Sequence, residues 1–279
     1  FDGQPPVGVT VFVEGEEEIG SPSLATILQR HRDLLAADVY VIADSVNWQV
    51  GSPAFTTTLR GLADVVVEVN TLAHPLHSGQ FGGVVPDALG TLIRMLSTLT
   101  DETGACAIEG LTSGRAADLD YPEDRLREEA GLLEGVDFVG RGKAVDRMWA
   151  QPSVTVVALD APSVAQASNT LQPVARAKVS VRVAPGDDAS HALEMLKKHL
   201  EKNAPWGAHV SFGEESVGQP GAIPFEGHVC DMAREVFTDA FGVEPVHVGC
   251  GGSIPMVADF QQAYPEATVL VTAVTDPDS

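Results

Sequence analysis

The sequence predicts a mixed α/β protein: an α/β domain in two pieces, interrupted by an α+β insertion. Three observations lead there. Near both ends of the chain, apolar strands alternate with amphipathic helices, the pattern of a largely parallel sheet. Between about residues 62 and 213 the order changes to β-α-β-β-α-β, the split βαβ of a ferredoxin-like sandwich. The length of 279 residues suits one large or two medium domains, and 44% hydrophobic residues suffice for their cores. The expected boundaries put residues 1–60 and 217–279 in the interrupted domain and 61–216 in the insertion.

The first unit is Val7–Ser21, VGVTVFVEGEEEIGS. Its run VTVFV, bounded by Gly8 and Gly15, predicts a short buried strand. The strand ends in acid: Glu14, Glu16, Glu17 and Glu18. Ser21 is placed as an N-cap and Pro22 as the first helical residue. The helix should run to about Leu35, with Leu24, Ile27, Leu28, Leu34 and Leu35 as its apolar stripe. Val39–Ala43 (VYVIA) is a second apolar strand, ending in Asp44. A strand–helix–strand crossover makes parallel neighbours, so Asp44 and the Glu16–Glu18 run should converge at the carboxyl edge of the sheet. Ligands bind at that edge in open α/β sheets. Clustered carboxylates raise one another's pKa, and a divalent cation relieves the repulsion. Taken alone, acids before a helix N-terminus also fit a solvated turn favoured by the helix dipole.

Further along, Phe55–Leu59 is strand-like and breaks at Arg60-Gly61. Residues 62–70 (LADVVVEVN) form a half-buried strand with Ala63, Val65, Val67 and Val69 on one face. A Gly- and His-rich loop, HPLHSGQFGGVV, precedes a helix from Pro86 to about Leu99, with the stripe Ala88, Leu89, Leu92, Ile93, Leu96 and Leu99. Residues 101–152 are charged and irregular, with a helix near 123–133. Strands follow at 153–159 and 177–183, the second with Arg182 on the face opposite its valines. A helix over 187–202 and a short strand over 209–212 complete the insertion. The α/β pattern then resumes: helix 227–241, strand 246–248, a Gly-rich turn over 249–255 into another helix, and a buried strand over 267–274.

Composition excludes some function classes. A formal net charge of −22 repels nucleic acid and anionic membranes, so neither is an expected partner. No apolar run reaches the 18 or so residues of a membrane span. Cys106, Cys230 and Cys250 are widely spaced and form no metal or disulfide signature, the pattern of reduced thiols in a cytoplasmic protein. The sequence starts at Phe1 with no initiator Met or signal peptide to read, as though cut from something longer.

In order along the chain, VEGEEEIGS, VIADS, TLRGLADVVVEV, LHSGQFGGVVPDA, VSVRVAP and GGSIP resemble the successive landmarks of the cocatalytic di-zinc metallopeptidases. That family comprises carnosinase-type dipeptidases, aminoacylases, acetylornithine deacetylases and succinyl-diaminopimelate desuccinylases. LHSG followed by FGG is most similar to the dipeptidase branch. The resemblance implies a phosphorylase/hydrolase-like di-zinc catalytic domain, incomplete here, interrupted by a ferredoxin-like lid and dimerisation domain. It implies two Zn2+ per subunit in the intact protein, with Mn2+ or Co2+ as alternatives, a small peptide substrate and a homodimer through residues 61–216. It implies roles for particular residues. Glu17 would be the general base, Glu18 a ligand of one metal and Asp44 a ligand of the other. His77 would bind the scissile carbonyl, typically in the partner subunit's site. Arg182 would hold the substrate's terminal carboxylate, with Ser253 assisting and Thr170 also touching substrate. The family's His-x-Asp pair, its bridging Asp and its C-terminal His have no counterpart in these residues, so two ligands alone cannot fill two sites.

The chemistry needs one carboxylate bound to metal beside one free to move a proton, which adjacent Glu17 and Glu18 can supply. The expected function is hydrolysis of dipeptides or small peptides. An N-acyl amino acid deacylase of the same family and a non-catalytic dimerising module are the alternatives.

Overall fold

In chain order the elements of the computed structural model, which describes residues 5–275, are as follows. Helices α1 (Leu24–Arg30) and α2 (Arg32–Leu35) precede strands β1 (Val39–Val46), β2 (Ala54–Leu59), β3 (Gly61–Asn70) and β4 (Leu76–His77). Next come α3 (Ser78–Phe81), α4 (Ala88–Leu96), α5 (Glu123–Glu129), α6 (Ala144–Trp149), β5 (Ser153–Asp160), β6 (Thr170–Leu171), β7 (Val174–Val183), α7 (Ala189–Lys202), β8 (His209–Gly218) and β9 (Gly221–Ala222). The last are α8 (His228–Phe241), β10 (Val246–Cys250), α9 (Pro255–Ala263) and β11 (Thr268–Thr275). Two compact units emerge: residues 1–57, 223–248 and 254–279 form one, and residues 58–222 with the turn Gly249–Ser253 form the other.

The first unit is built on a sheet of order β1-β11-β2-β10. β1 and β11 are parallel, and β11 meets β2 antiparallel. Leu24, Leu28 and Leu35 bury against Phe260 and Tyr264, with Phe12 and Tyr40 packed at the margin. Three expectations change here. The run Val9–Val13 forms no strand: Val7, Val9, Val11 and Val13 are 63–85% exposed, and only Phe12 turns inward, edge-on to Phe260. The side-chain pattern favours a strand, but a strand needs a ladder partner, and this run pairs with none among the described residues. Ser21 does not cap the helix, because it sits in the left-handed region at φ 50°. The N-cap position falls to Ser23, whose N–H donates to the Glu16 carboxylate at 3.1 Å. The helix is also broken at His31, and Leu34 lies outside the stripe, exposed.

The second unit is the split βαβ sandwich. Its sheet has the order β5-β7-β3-β8, with every neighbouring pair antiparallel. Strict alternation in β3 puts Ala63, Val65, Val67 and Val69 on one fully buried face, joined by Val179, Val181 and Val183 of β7. α4 and α7 cover that face through Leu92, Met95, Leu196 and Leu200. The strand predicted as 209–212 extends to Gly218, past an irregularity opposite Val65/Val66. The Gly/His loop contains β4 and α3, and Ile93 of α4 faces solvent. α6, read as irregular chain, is a short helix anchored by buried Val145 and Trp149.

Candidate functional site

The site residues fall into groups that the two units assemble separately. In the first unit, the acids after Val13 divide by what they bond. Glu14 Oε1 accepts the Glu16 N–H at 2.9 Å, and Glu16 Oε2 accepts the Ser23 N–H. A 3-10 turn over Glu17–Ile19, closed by left-handed Gly20, then presents Glu17 and Glu18 with no hydrogen bond or ion pair to their side chains among the described residues. The chain therefore spends two of its four acids on its own backbone and leaves two free.

Asp44 comes to the same place by a different device. Along the β1–β11 ladder, Ala43 faces Thr272 and Ser45 faces Ala273, so Asp44 is the extra residue of a β-bulge. A bulge re-aims the side chain it carries. The result is a carboxylate cluster that feels itself. Burial, then Asp44, Glu18 and Glu14 in turn, hold the Glu17 carboxyl above the ordinary range. Burial and then Glu18 do the same for Asp44. The expected convergence of these acids does occur, through a turn and a bulge rather than through two parallel strand tips. Free, mutually repelling carboxylates are the oxygen donors that a divalent cation takes. Among the described residues no group of three or more His, Cys, Asp or Glu side chains is placed to hold a metal. Glu18 and Asp44 thus suit part of a ligand set.

In the second unit, β4 pairs with β6 so that His77 faces Thr170 directly. The Ser78 N–H donates to the Asn169 carbonyl at 2.9 Å and ties the same two segments. His77 is the N-cap of α3: its Nδ1 accepts the Gly79 N–H at 3.1 Å. In a neutral imidazole that acceptor role puts the proton on Nε2. Thr170 Oγ1 lies 2.8 Å from Ser168 Oγ.

Arg182 and Ser253 form the third group. Arg182 sits on the sheet face away from the helices, in a row running Ser153, Arg182, Leu62, Gly218 across four strands. Paired residues in such a row point the same way. The turn Gly249–Ser253 packs on this face. A Cβ added to Gly252 would lie 3.8 Å from an Arg182 Nη1, and one added to Gly218 would lie 3.4 Å from Ser253 Oγ. The Ser253 hydroxyl therefore lies within van der Waals reach of the row at position 218. Ser253 does not cap the following helix: Ile254 holds the N-cap position of α9.

One residue here escaped the sequence reading. Arg60, between β2 and β3, reads from sequence only as part of a strand break, yet it is only 9% exposed. Its Nε donates to the Gly251 carbonyl at 3.2 Å, and its Nη1 to Ser153 Oγ at 3.0 Å and to the Arg147 and Gln151 carbonyls at 3.3 Å. The only sequence signal was a charged residue flanked on both sides by apolar strands.

Among the described residues no helix is long and apolar enough to cross a membrane. Cys106, Cys230 and Cys250 are free thiols.

The chain is similar to known proteins along most of its length. Residues 57–208 match the family described as Peptidase dimerisation domain. The chain is 34% identical over 281 residues to the cysteinylglycine-S-conjugate dipeptidase of Corynebacterium striatum, covering 99% of this chain and 62% of that protein. It is 26% identical over 286 residues to the Beta-Ala-His dipeptidase of Rattus norvegicus, covering 95% and 57%. The solved structure of human carnosine dipeptidase 1 superposes with a TM-score of 0.76 at 21% identity, covering 94% of this chain and 58% of that one. The chain thus spans about three-fifths of the length of the curated relatives it matches. With more than half of its residues inside the matched segment and the split βαβ sandwich in place, the chain belongs to the M20 peptidases, and residues 57–208 are its peptidase dimerisation domain.

Proposed function

We propose that the intact protein is a zinc-dependent dipeptidase that works as a homodimer in the cytoplasm. The observation that carries this reading is the division of labour among the acids: Glu14 and Glu16 are bonded to backbone, while Glu17, Glu18 and Asp44 gather with no hydrogen bond or ion pair to their carboxylates among the described residues. Glu18 and Asp44 would hold metal, zinc in the first instance and manganese or cobalt as alternatives. A metal bound there lowers the pKa of a water and polarises a carbonyl. Glu17, unligated and adjacent in sequence, would serve as the general base toward a water and as the general acid toward the leaving amine. Burial and the neighbouring Asp44, Glu18 and Glu14 raise its pKa, the direction that makes a carboxylate a better proton acceptor.

His77 contributes an Nε2–H donor for the carbonyl oxygen as it gains charge, held in orientation by the Gly79 N–H on Nδ1. Arg182 offers a guanidinium fork to the terminal carboxylate of the peptide, and the Ser253 hydroxyl over Gly218 joins it. Thr170, opposite His77, adds a hydroxyl at the same place. Dimerisation through residues 61–216, with 1–60 and 217–279 catalytic, is supported by the family match over 57–208. Three free thiols support a reducing compartment.

The test uses the full-length protein. Glu17→Gln should keep its metal content by elemental analysis and lose kcat by about 10²–10⁴-fold on dipeptides. Full turnover in that variant would end the assignment. A full-length protein that holds no metal, cleaves no dipeptide and still sediments as a dimer would instead leave a dimerising module.

A further inference from the structure

Arg60 is an unusual cation. The protein has 39 acidic and 17 basic residues, so acids are plentiful, yet no carboxylate pairs with Arg60 among the described residues. Every acceptor around its guanidinium is a neutral oxygen: the carbonyls of Gly251, Arg147 and Gln151, and Ser153 Oγ. Its main-chain N–H adds a fifth tie, to the Cys250 carbonyl at 3.1 Å. Burial first, and the positive charge of Arg182 second, bring its pKa down to about 10, which still leaves it a cation at neutral pH. A buried charge with no counter-charge is costly, and hydrogen bonds to neutral oxygens offset part of that cost.

What it fixes is visible in the partners. Cys250 and Gly251 begin the turn that carries Ser253. Ser153 starts the strand beside Arg182, directly opposite it in register. Arg147 and Gln151 flank the end of α6. One planar group therefore joins the Ser253 turn to the strand row that holds Arg182. The approach is close at Gly251: a Cβ there would lie 3.2 Å from an Arg60 Nη2, so that one of the two would have to give by a few tenths of an ångström.

We propose that Arg60 is the positioning residue of the substrate-carboxylate pocket, its guanidinium holding the Gly251–Ser253 turn in place beside Arg182. The inference rests on the reading of Arg182 and Ser253 as the carboxylate-binding pair. Arg60 touches no substrate. Its fork sets the distance between two groups that do, and its charge adds to that of Arg182 in drawing an anion to a strongly acidic protein.

The experiment takes the full-length enzyme with Arg60→Gln, Arg60→Lys and Gly251→Ala, and has two readouts. The first is backbone hydrogen exchange in peptides spanning residues 249–254. All three variants should exchange there at least tenfold faster than wild type, since a lysine ammonium cannot span acceptors set for a fork. The second is KM and kcat for a dipeptide and for the same dipeptide with its C-terminus amidated. KM for the free acid should rise tenfold or more with kcat within threefold. The kcat/KM for the amide should move less than threefold. Arg60→Lys, which keeps the charge, should lose less in KM than Arg60→Gln. Unchanged exchange in the folded variants would overturn the positioning role and leave the carboxylate pair untouched. Faster exchange with equal losses on acid and amide would overturn the carboxylate pair itself, and this proposal with it. Gly251→Ala keeps the test alive if removing the buried arginine prevents folding, because it displaces the turn with the cation still present.

Discussion

At the scale of single residues, glycines set as much of the site as the polar groups do. A Cβ on Gly79 would come within 2.9 Å of His77 Cε1 and 3.2 Å of Nδ1, closer than packed atoms tolerate. Gly79→Ala should push the imidazole off its N–H partner and misaim Nε2. A donor aimed at a developing oxyanion is worth about 10²–10³ in kcat. The expected result is therefore a fall in kcat of at least tenfold with an unchanged thermal midpoint, read by steady-state kinetics and calorimetry. The acids show the opposite side of residue-level legibility. The sequence leaves open which of Glu14–Glu18 bond to the backbone and which do not. The Ser23–Glu16 bond closes over the Gly20–Ser21 left-handed turn, and Ser21 at φ 50° is not a conformation that residue type announces.

At the scale of elements, one carboxylate has two structural tasks. Asp87 Oδ2 accepts the Gly90 N–H at 2.8 Å as the N-cap of α4, while its Oδ1 accepts the Gln172 N–H just past β6. The helix start and the strand opposite His77 are thereby pinned together. Asp87→Ala should cost about 1–2 kcal/mol, the upper part of the usual range for a lost cap, measured by urea unfolding. The helices and strands with clear periodicity were legible in advance: β3, β7, α4 and α7 follow their apolar patterns closely. Val9–Val13 was not, because alternation states which face would be buried if a strand formed and says nothing about whether a neighbour is there to pair with. α6 was missed for the converse reason. Its six residues are too few to show a period, and it holds because Val145 and Trp149 find a core.

At the scale of the whole molecule, pH should act on the second unit through His199. This residue of α7 has its Nε2 3.0 Å from both the Thr98 carbonyl and hydroxyl, just beyond α4. Burial pushes its pKa below the ordinary 6.5, with the Thr98 carbonyl opposing. The folded state therefore holds the proton less well than the unfolded chain. Its contribution to stability is full above about pH 6.5 and is lost as pH falls through that value toward the depressed folded pKa. The thermal midpoint should drop between pH 7 and 5, and His199→Gln should flatten that slope. A slope unchanged by the substitution would assign it to other groups.

The chain order of strands and helices, the excess of acid and the run of family landmarks are all local properties of composition and period, and for that reason the amino-acid sequence determined the α/β class and the inserted sandwich and named the residues of the proposed site. Three things were decided only by tertiary structure. A β-bulge turns Asp44 toward Glu17 and Glu18, a two-stranded ladder sets His77 opposite Thr170, and a buried guanidinium from residue 60 holds a turn near residue 251. Each joins groups far apart in the chain through register or packing, and neither quantity exists until the backbone has folded.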